Sequence, residues 1–293
     1  MRHFTPVARA MLAAASMIPM IAMSQSHPRT TEPTKPRTGY AEVNGLRMYY
    51  ELHGEGGTPL VLIHGGGSTI GTNFGRVLPL LSRTRRVIAV EVQAHGHTRD
   101  IDRPFTFEQD ADDVAALLDS LHVPKADILG FSNGGTTALQ VAIRHPAKVN
   151  RLVIASSNYR RDGMQDGFWD FMEKGTYDDM PKPYETAYLK INPSQEGVHA
   201  MQSRDAKRML AFKDIPDESI KGIQSPTLVV DGDRDVVRVE HAAALSRLLP
   251  RARLAILPGS HGEYLGEIVT PKVSDRRVGI FVDLVSEFLD GRD

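Results

Sequence analysis

The chain has 293 residues, 41% apolar and 24% charged, which is enough to bury a sizeable core and lies outside the disordered range. Lys and Arg total 35 against 36 Asp and Glu, a net charge of −1, so neither nucleic acid nor an acidic membrane is expected as a partner. Cysteine is absent, which excludes disulfides, thiolate nucleophiles and Cys-ligated zinc together.

Arg2, His3 and Arg9 precede an apolar run from Ala10 to Met23, and Ala22-Met23-Ser24 offers small residues for cleavage. That order reads as a secretory signal peptide over residues 1–24, and hence as an exported, periplasmic or secreted protein. The alternative is an N-terminal extension on a cytoplasmic enzyme. The run is shorter than the roughly 20 residues that span a bilayer, so no integral membrane segment is expected in the mature chain. Residues 25–39, rich in Pro, Thr and charge, read as a flexible linker.

From Tyr40 to Leu52 apolar and polar residues alternate around Asn44-Gly45, which predicts a two-stranded hairpin. Pro59 to Ile63 is a continuous apolar run running into His64-Gly65-Gly66-Gly67, as suits a strand buried on both faces. Strands are expected again over Arg86 to Val92, Ala126 to Leu129 and Arg151 to Ala155, with helices over Phe107 to Leu121 and Gly134 to Arg144. Between about Asn158 and Ile215 this pattern breaks. It resumes with a strand from Pro226 to Val230, a helix from about Glu240 to Leu249, a strand from Arg253 to Leu257 and a last helix from about Val278 to Leu289. Alternating strands and helices imply a mostly parallel α/β sheet with helices on both faces. The domain reading is a core formed by residues 40–157 and 216–293, interrupted by a short helical cap insertion at 158–215.

Gly130-Phe131-Ser132-Asn133-Gly134 has the form G-x-S-x-G at a strand-to-helix junction, where the glycines permit a sharp turn that lifts the serine hydroxyl clear of the backbone. A serine hydroxyl needs a base, and the base needs a carboxylate that holds its tautomer. His261 follows one late strand and Asp235 follows the strand before it, so Ser132, Asp235 and His261 are the candidate catalytic residues. Asp231 and Asp233 compete for the acid role; the G-x-x-D spacing favours Asp235. The glycines after His64 suit an oxyanion pocket, with the N–H groups of Gly66 and Asn133 as donors and His64 itself structural. A phosphate loop is the competing reading, but neither Lys-Ser nor Lys-Thr follows.

With these motifs in this order, residues 40 to 290 resemble the α/β-hydrolase superfamily, and in particular its small capped serine hydrolases: esterases, lactonases, carbon–carbon bond hydrolases and cofactor-free haloperoxidases. Ala94-His95-Gly96-His97-Thr98 is similar to the G-H-G-x-S/T loop of those enzymes, with Ala94 in place of the first glycine. The resemblance implies a hydrolase that cleaves a carboxylic ester or related acyl bond of a small, partly apolar substrate through an acyl-enzyme. Rival expectations are perhydrolase or haloperoxidase chemistry, carbon–carbon bond hydrolysis on the same triad, and a non-catalytic receptor on this fold. No cofactor and no metal is called for; the His95-x-His97 pair has no acidic partner at metal-binding spacing. Trp169, Phe168, Phe171 and Tyr188, with Met172, Tyr177 and Tyr184, are candidates for an apolar substrate pocket in the cap, or else for the cap's own small core.

Overall fold

A computed structural model describes residues 36–271 and 273–291, with Met1 and His3. The expected signal peptide and most of the expected linker lie outside the described residues. Eight strands form one sheet: β1 (Arg37–Val43), β2 (Leu46–His53), β3 (Leu60–Ile63), β4 (Val87–Glu91), β5 (Ala126–Phe131), β6 (Val149–Ala155), β7 (Thr227–Gly232) and β8 (Ala252–Leu257). Their spatial order is β1-β2-β4-β3-β5-β6-β7-β8. The first two strands form the expected hairpin, and β2 pairs antiparallel with β4; every later pairing is parallel. One correction concerns the linker, whose last residues, Arg37 to Gly39, already pair with Leu52 to Tyr50.

The helices are α1 (Ile70–Phe74), α2 (Leu78–Leu81), α3 (Phe107–Ser120), α4 (Asn133–Arg144), α5 (Phe168–Lys174), α6 (Lys182–Ile191), α7 (Gln195–Leu210), α8 (Asp217–Lys221), α9 (Val239–Leu248) and α10 (Asp275–Leu289). Strands β3, β4, β5 and β7 are buried along their whole length, as suits mainly apolar strands covered on both faces, and they take Glu91, Asp127, Thr227 and Asp231 inside with them. Separate apolar clusters cover the two faces. Ile63, Ile128 and Ile154 face α3, α4 and α9, whereas Leu62, Leu129 and Val153 face α1, α2 and α10. Thr106 caps α3 by accepting Gln109 N–H, and Ser274 caps α10 by accepting Arg277 N–H. Helices α1 and α2 escape a periodicity reading because five and four residues are too few to show a helical repeat.

Helices α5, α6 and α7 fall between β6 and β7, the segment where strand–helix alternation fails. Tyr188, Val198 and Met201 form a small apolar cluster of their own there. Among the described residues no helix is long and apolar enough to cross a membrane.

Candidate active site

Register fixes which loops meet at the carboxyl ends of the strands. Ile63 of β3 pairs with Gly130 of β5, so the His64-Gly65-Gly66-Gly67 loop and the serine turn leave the sheet side by side. Gly232 of β7 pairs with Leu257 of β8, which brings the Asp235 and His261 loops together. Ligands in open α/β sheets bind at this edge, where neighbouring crossovers depart in opposite directions.

Ser132 sits at φ 54° and ψ −124°, a backbone state that side-chain-bearing residues rarely adopt. The flanking glycines permit it. A Cβ on Gly130 would collide with the carbonyl of Gly134, and one on Gly134 with the carbonyl of Ile63. His261 Nε2 lies 3.0 Å from Ser132 Oγ, and its Nδ1 lies 2.7 Å from Asp235 Oδ1. With the Nδ1 proton donated to Asp235, Nε2 is left to accept the hydroxyl proton.

Asp235 is buried and also accepts from Val237 N–H at 3.2 Å and from Ser156 Oγ at 2.5 Å. Burial by itself raises its pKa, but the charge and hydrogen bond of His261 overcome that and hold it below the usual carboxylate value. For His261, burial favours the neutral ring, yet Asp235 prevails and raises its pKa above the ordinary value. The competing aspartates have separate tasks. Asp233 accepts Gly259 N–H at 2.7 Å and shapes the turn, while Asp231 accepts Gly232 N–H at 2.8 Å and lies against Asp235. Tyr264 joins from behind, its hydroxyl 2.6 Å from Ser156 Oγ.

In the glycine loop, Gly65 N–H donates to Asn73 Oδ1 at 2.6 Å and Gly67 N–H donates to Asp205 Oδ2 at 2.5 Å. Gly66 N–H, between them, has no acceptor among the described residues. Asn133 is the first residue of α4, where a backbone N–H has no intrahelical partner. These two amides flank the serine turn, as an oxyanion pocket needs. His64 Nδ1 donates to Gly65 O and its Nε2 accepts Val92 N–H, so the ring is occupied on both sides. His95 and His97 face different carboxylates, Asp205 and Glu91.

A cavity of about 200 Å³ opens beside Gly66 and Gly67, walled by Phe171, Met172, Met180 and Tyr184 and by the polar Gln202 and Asp205. Of the seven pocket candidates Phe171, Met172 and Tyr184 stand in that wall and Tyr177 stacks on His199 instead; the reading needs correction for Trp169, Phe168 and Tyr188. Trp169 donates its indole N–H to Arg161 O at 2.7 Å, has the Arg161 guanidinium 3.6 Å over its ring and packs with Phe168 against the core. Tyr188 is 2% exposed in the cluster it forms with Val198 and Met201. All three satisfy packing demands that composition alone could not tell from lining a pocket. A larger groove of about 600 Å³ lies between α3 and α4 and contains none of these site residues; Asp112 there pairs with Arg144 and His145.

Sequence reasoning missed Asn73, Ser156, Asp205 and Tyr264. Each acts through a partner 8 to 138 positions away, and none stands in a recognisable motif.

The α/β hydrolase fold family matches residues 58–199. The chain is 30% identical over 269 residues to the 2-hydroxy-6-oxo-2,4-heptadienoate hydrolase of Pseudomonas putida, covering 83% of this chain and 93% of that one. It is 28% identical over 275 residues to the human serine hydrolase BPHL, covering 88% and 92%. A meta-cleavage product hydrolase of Pseudomonas fluorescens superimposes with a TM-score of 0.71 at 24% identity, over 88% of this chain and 98% of that one. The chain therefore belongs to the α/β-hydrolase superfamily. Within that superfamily it is a hydrolase whose elbow presents a serine, with Ser132 at the turn between β5 and α4.

Proposed function

We propose that the protein cleaves a carboxylic ester or related acyl bond of a small, partly apolar substrate through an acyl-enzyme on Ser132. The observation that carries this reading is the continuous relay from Asp235 to His261 to Ser132, at 2.7 and 3.0 Å. His261 takes the Oγ proton as Oγ attacks the acyl carbon, and the carbonyl oxygen becomes an oxyanion between the N–H groups of Gly66 and Asn133. The bond to the leaving group breaks and the leaving group receives the proton from His261. Water, deprotonated by His261, then releases the acid and restores the hydroxyl. Phe171, Met172, Met180 and Tyr184 supply the apolar wall for the acyl group.

The test is a panel of p-nitrophenyl esters, lactones and ring-cleavage diketones run with the wild type and Ser132→Ala. Loss of at least about a thousandfold in kcat, together with loss of fluorophosphonate labelling, is expected of the variant. Full activity in Ser132→Ala overturns the proposal, and failure of the wild type to label revives a non-catalytic receptor. The same triad supports a second reading, carbon–carbon bond hydrolysis, which the name of the Pseudomonas putida relative favours; diketone turnover exceeding ester turnover selects it. Acetate-dependent halide oxidation with peroxide would select the perhydrolase reading.

The basic, apolar and small-residue order of residues 1–24 supports export as part of the proposal. Sequencing the N-terminus of the protein recovered from the periplasm or medium tests it; an intact Met1 on cytoplasmic protein overturns it.

A further inference from the structure

The Gly66 N–H lies in the Gly65–Gly66 peptide, whose oxygen accepts His64 Nδ1 at 2.7 Å, and the peptide that follows is held from α7. Gly66 O accepts Ser68 Oγ at 3.0 Å and Gly67 N–H donates to Asp205 Oδ2 at 2.5 Å, so both polar ends of the Gly66–Gly67 peptide are pinned. On the other side, Asn73 holds Gly65 N–H. Asp205 comes from α7, 138 positions further along the chain. It is 8% exposed, and a Cβ on Gly66 would stand 3.2 Å from its Oδ2.

A carboxylate this close to a developing oxyanion opposes it unless its charge is matched. Here it is matched. His95 Nε2 donates to Asp205 Oδ2 at 2.9 Å, and its Nδ1 donates to Gln93 O at 2.8 Å, so both ring nitrogens act as donors and the ring carries a charge. Arg208 donates to Asp205 Oδ1 and, at 2.5 Å, to Asp110 Oδ2, with its guanidinium 4.1 Å over Phe105. Burying such an array is costly and adds little net stability compared with apolar packing, so its placement asks for another reason.

We propose that Asp205 is a positioning residue for the oxyanion loop: the cap helix, seated through His95 and Arg208, fixes the Gly66 amide in its donating orientation. The proposal rests on the acyl-enzyme reading above.

The experiment compares Asp205→Ala, Asp205→Asn and Arg204→Ala. Arg204, on the same helix, clamps α7 to Asp100 and to the carbonyls of Ile101 and Arg103 without touching the glycine loop. Each variant is assayed on the best ester for kcat and KM, and for affinity to a trifluoromethyl ketone whose Ser132 adduct carries the oxyanion. Asp205→Ala is expected to lose about 10- to 100-fold in kcat and the same factor in ketone affinity, with KM within about threefold. Asp205→Asn, which keeps an acceptor for Gly67 N–H, loses less and serves in place of the alanine variant if that one does not fold. Arg204→Ala keeps kcat and ketone affinity. Ketone affinity unchanged in both Asp205 variants, or lost equally in Arg204→Ala, overturns the proposal. Failure of the acyl-enzyme reading shows separately, as a wild type that does not bind the ketone.

Discussion

Asp231 and Asp235 meet carboxyl to carboxyl behind His261, and a hydrogen bond between two such groups requires that the pair hold one proton. Burial, then the neighbouring charge of Asp235, pushes Asp231 up, so the proton resides there and Asp235 remains the carboxylate that faces His261. Asparagine reproduces the neutral form, since its amide donates to Asp235 and its oxygen accepts Gly232 N–H. Asp231→Asn is therefore expected to stay within about 1 kcal/mol of the wild type in urea unfolding, whereas Asp231→Ala loses about 2 kcal/mol by leaving Asp235 short of a buried donor. Equal damage from both substitutions would show that Asp231 is the ionised member.

Asp235→Asn separates orientation from packing. The amide fits the same space but favours the wrong imidazole tautomer, so kcat should fall by about 10⁴ with little change in KM. Steady-state kinetics decide it, and a loss of less than tenfold would mean that Asp231 or another acid does the holding.

The pH profile follows from the direction of the His261 shift. The neutral ring is the base, and its pKa is raised above 6.5 because the attraction of Asp235 outweighs burial. Activity is thus full above that raised pKa and falls with unit slope as pH drops through it, and the acid-limb midpoint of log kcat/KM lies above 6.5. A midpoint below 6.5 contradicts the assignment.

Two glycines make a paired stability test. Gly134 has the Ile63 carbonyl where a Cβ would go, while Gly279, inside α10, has nothing within 4 Å. Gly134→Ala is expected to cost about 3 kcal/mol or to abolish folding. Gly279→Ala should add about 0.5–1 kcal/mol by restricting the unfolded chain. Thermal melts read both, and a stabilised Gly134→Ala would refute the close packing of the elbow on β3.

Phe171 and Trp169 stand two residues apart on α5 with different duties. Phe171→Ala enlarges the cavity and should shift the preferred acyl chain by about one or two carbons. Trp169→Ala should leave that preference alone and lower stability by about 3 kcal/mol through lost packing with Phe168 and Arg161. Chain-length profiles and denaturation curves distinguish them.

Patterns that act locally were readable without coordinates. An unbroken apolar run marked β3, Asn44-Gly45 marked the hairpin, and the glycines around Ser132 marked a turn, because backbone sterics and the alternation of burial are written in adjacent residues. The order of Ser132, Asp235 and His261 was also legible, since each follows a recognisable strand. Tertiary structure alone decided that Asp205 reaches Gly67, that Asp231 backs Asp235, and that Phe171 rather than Trp169, Phe168 or Tyr188 walls the cavity. An aspartate on a helix such as α7 looks like any solvated charge until a partner far along the chain appears, and an aromatic side chain serves a core or a pocket equally well. Those choices depend on which surfaces the crossovers bring together, and no local spacing encodes that.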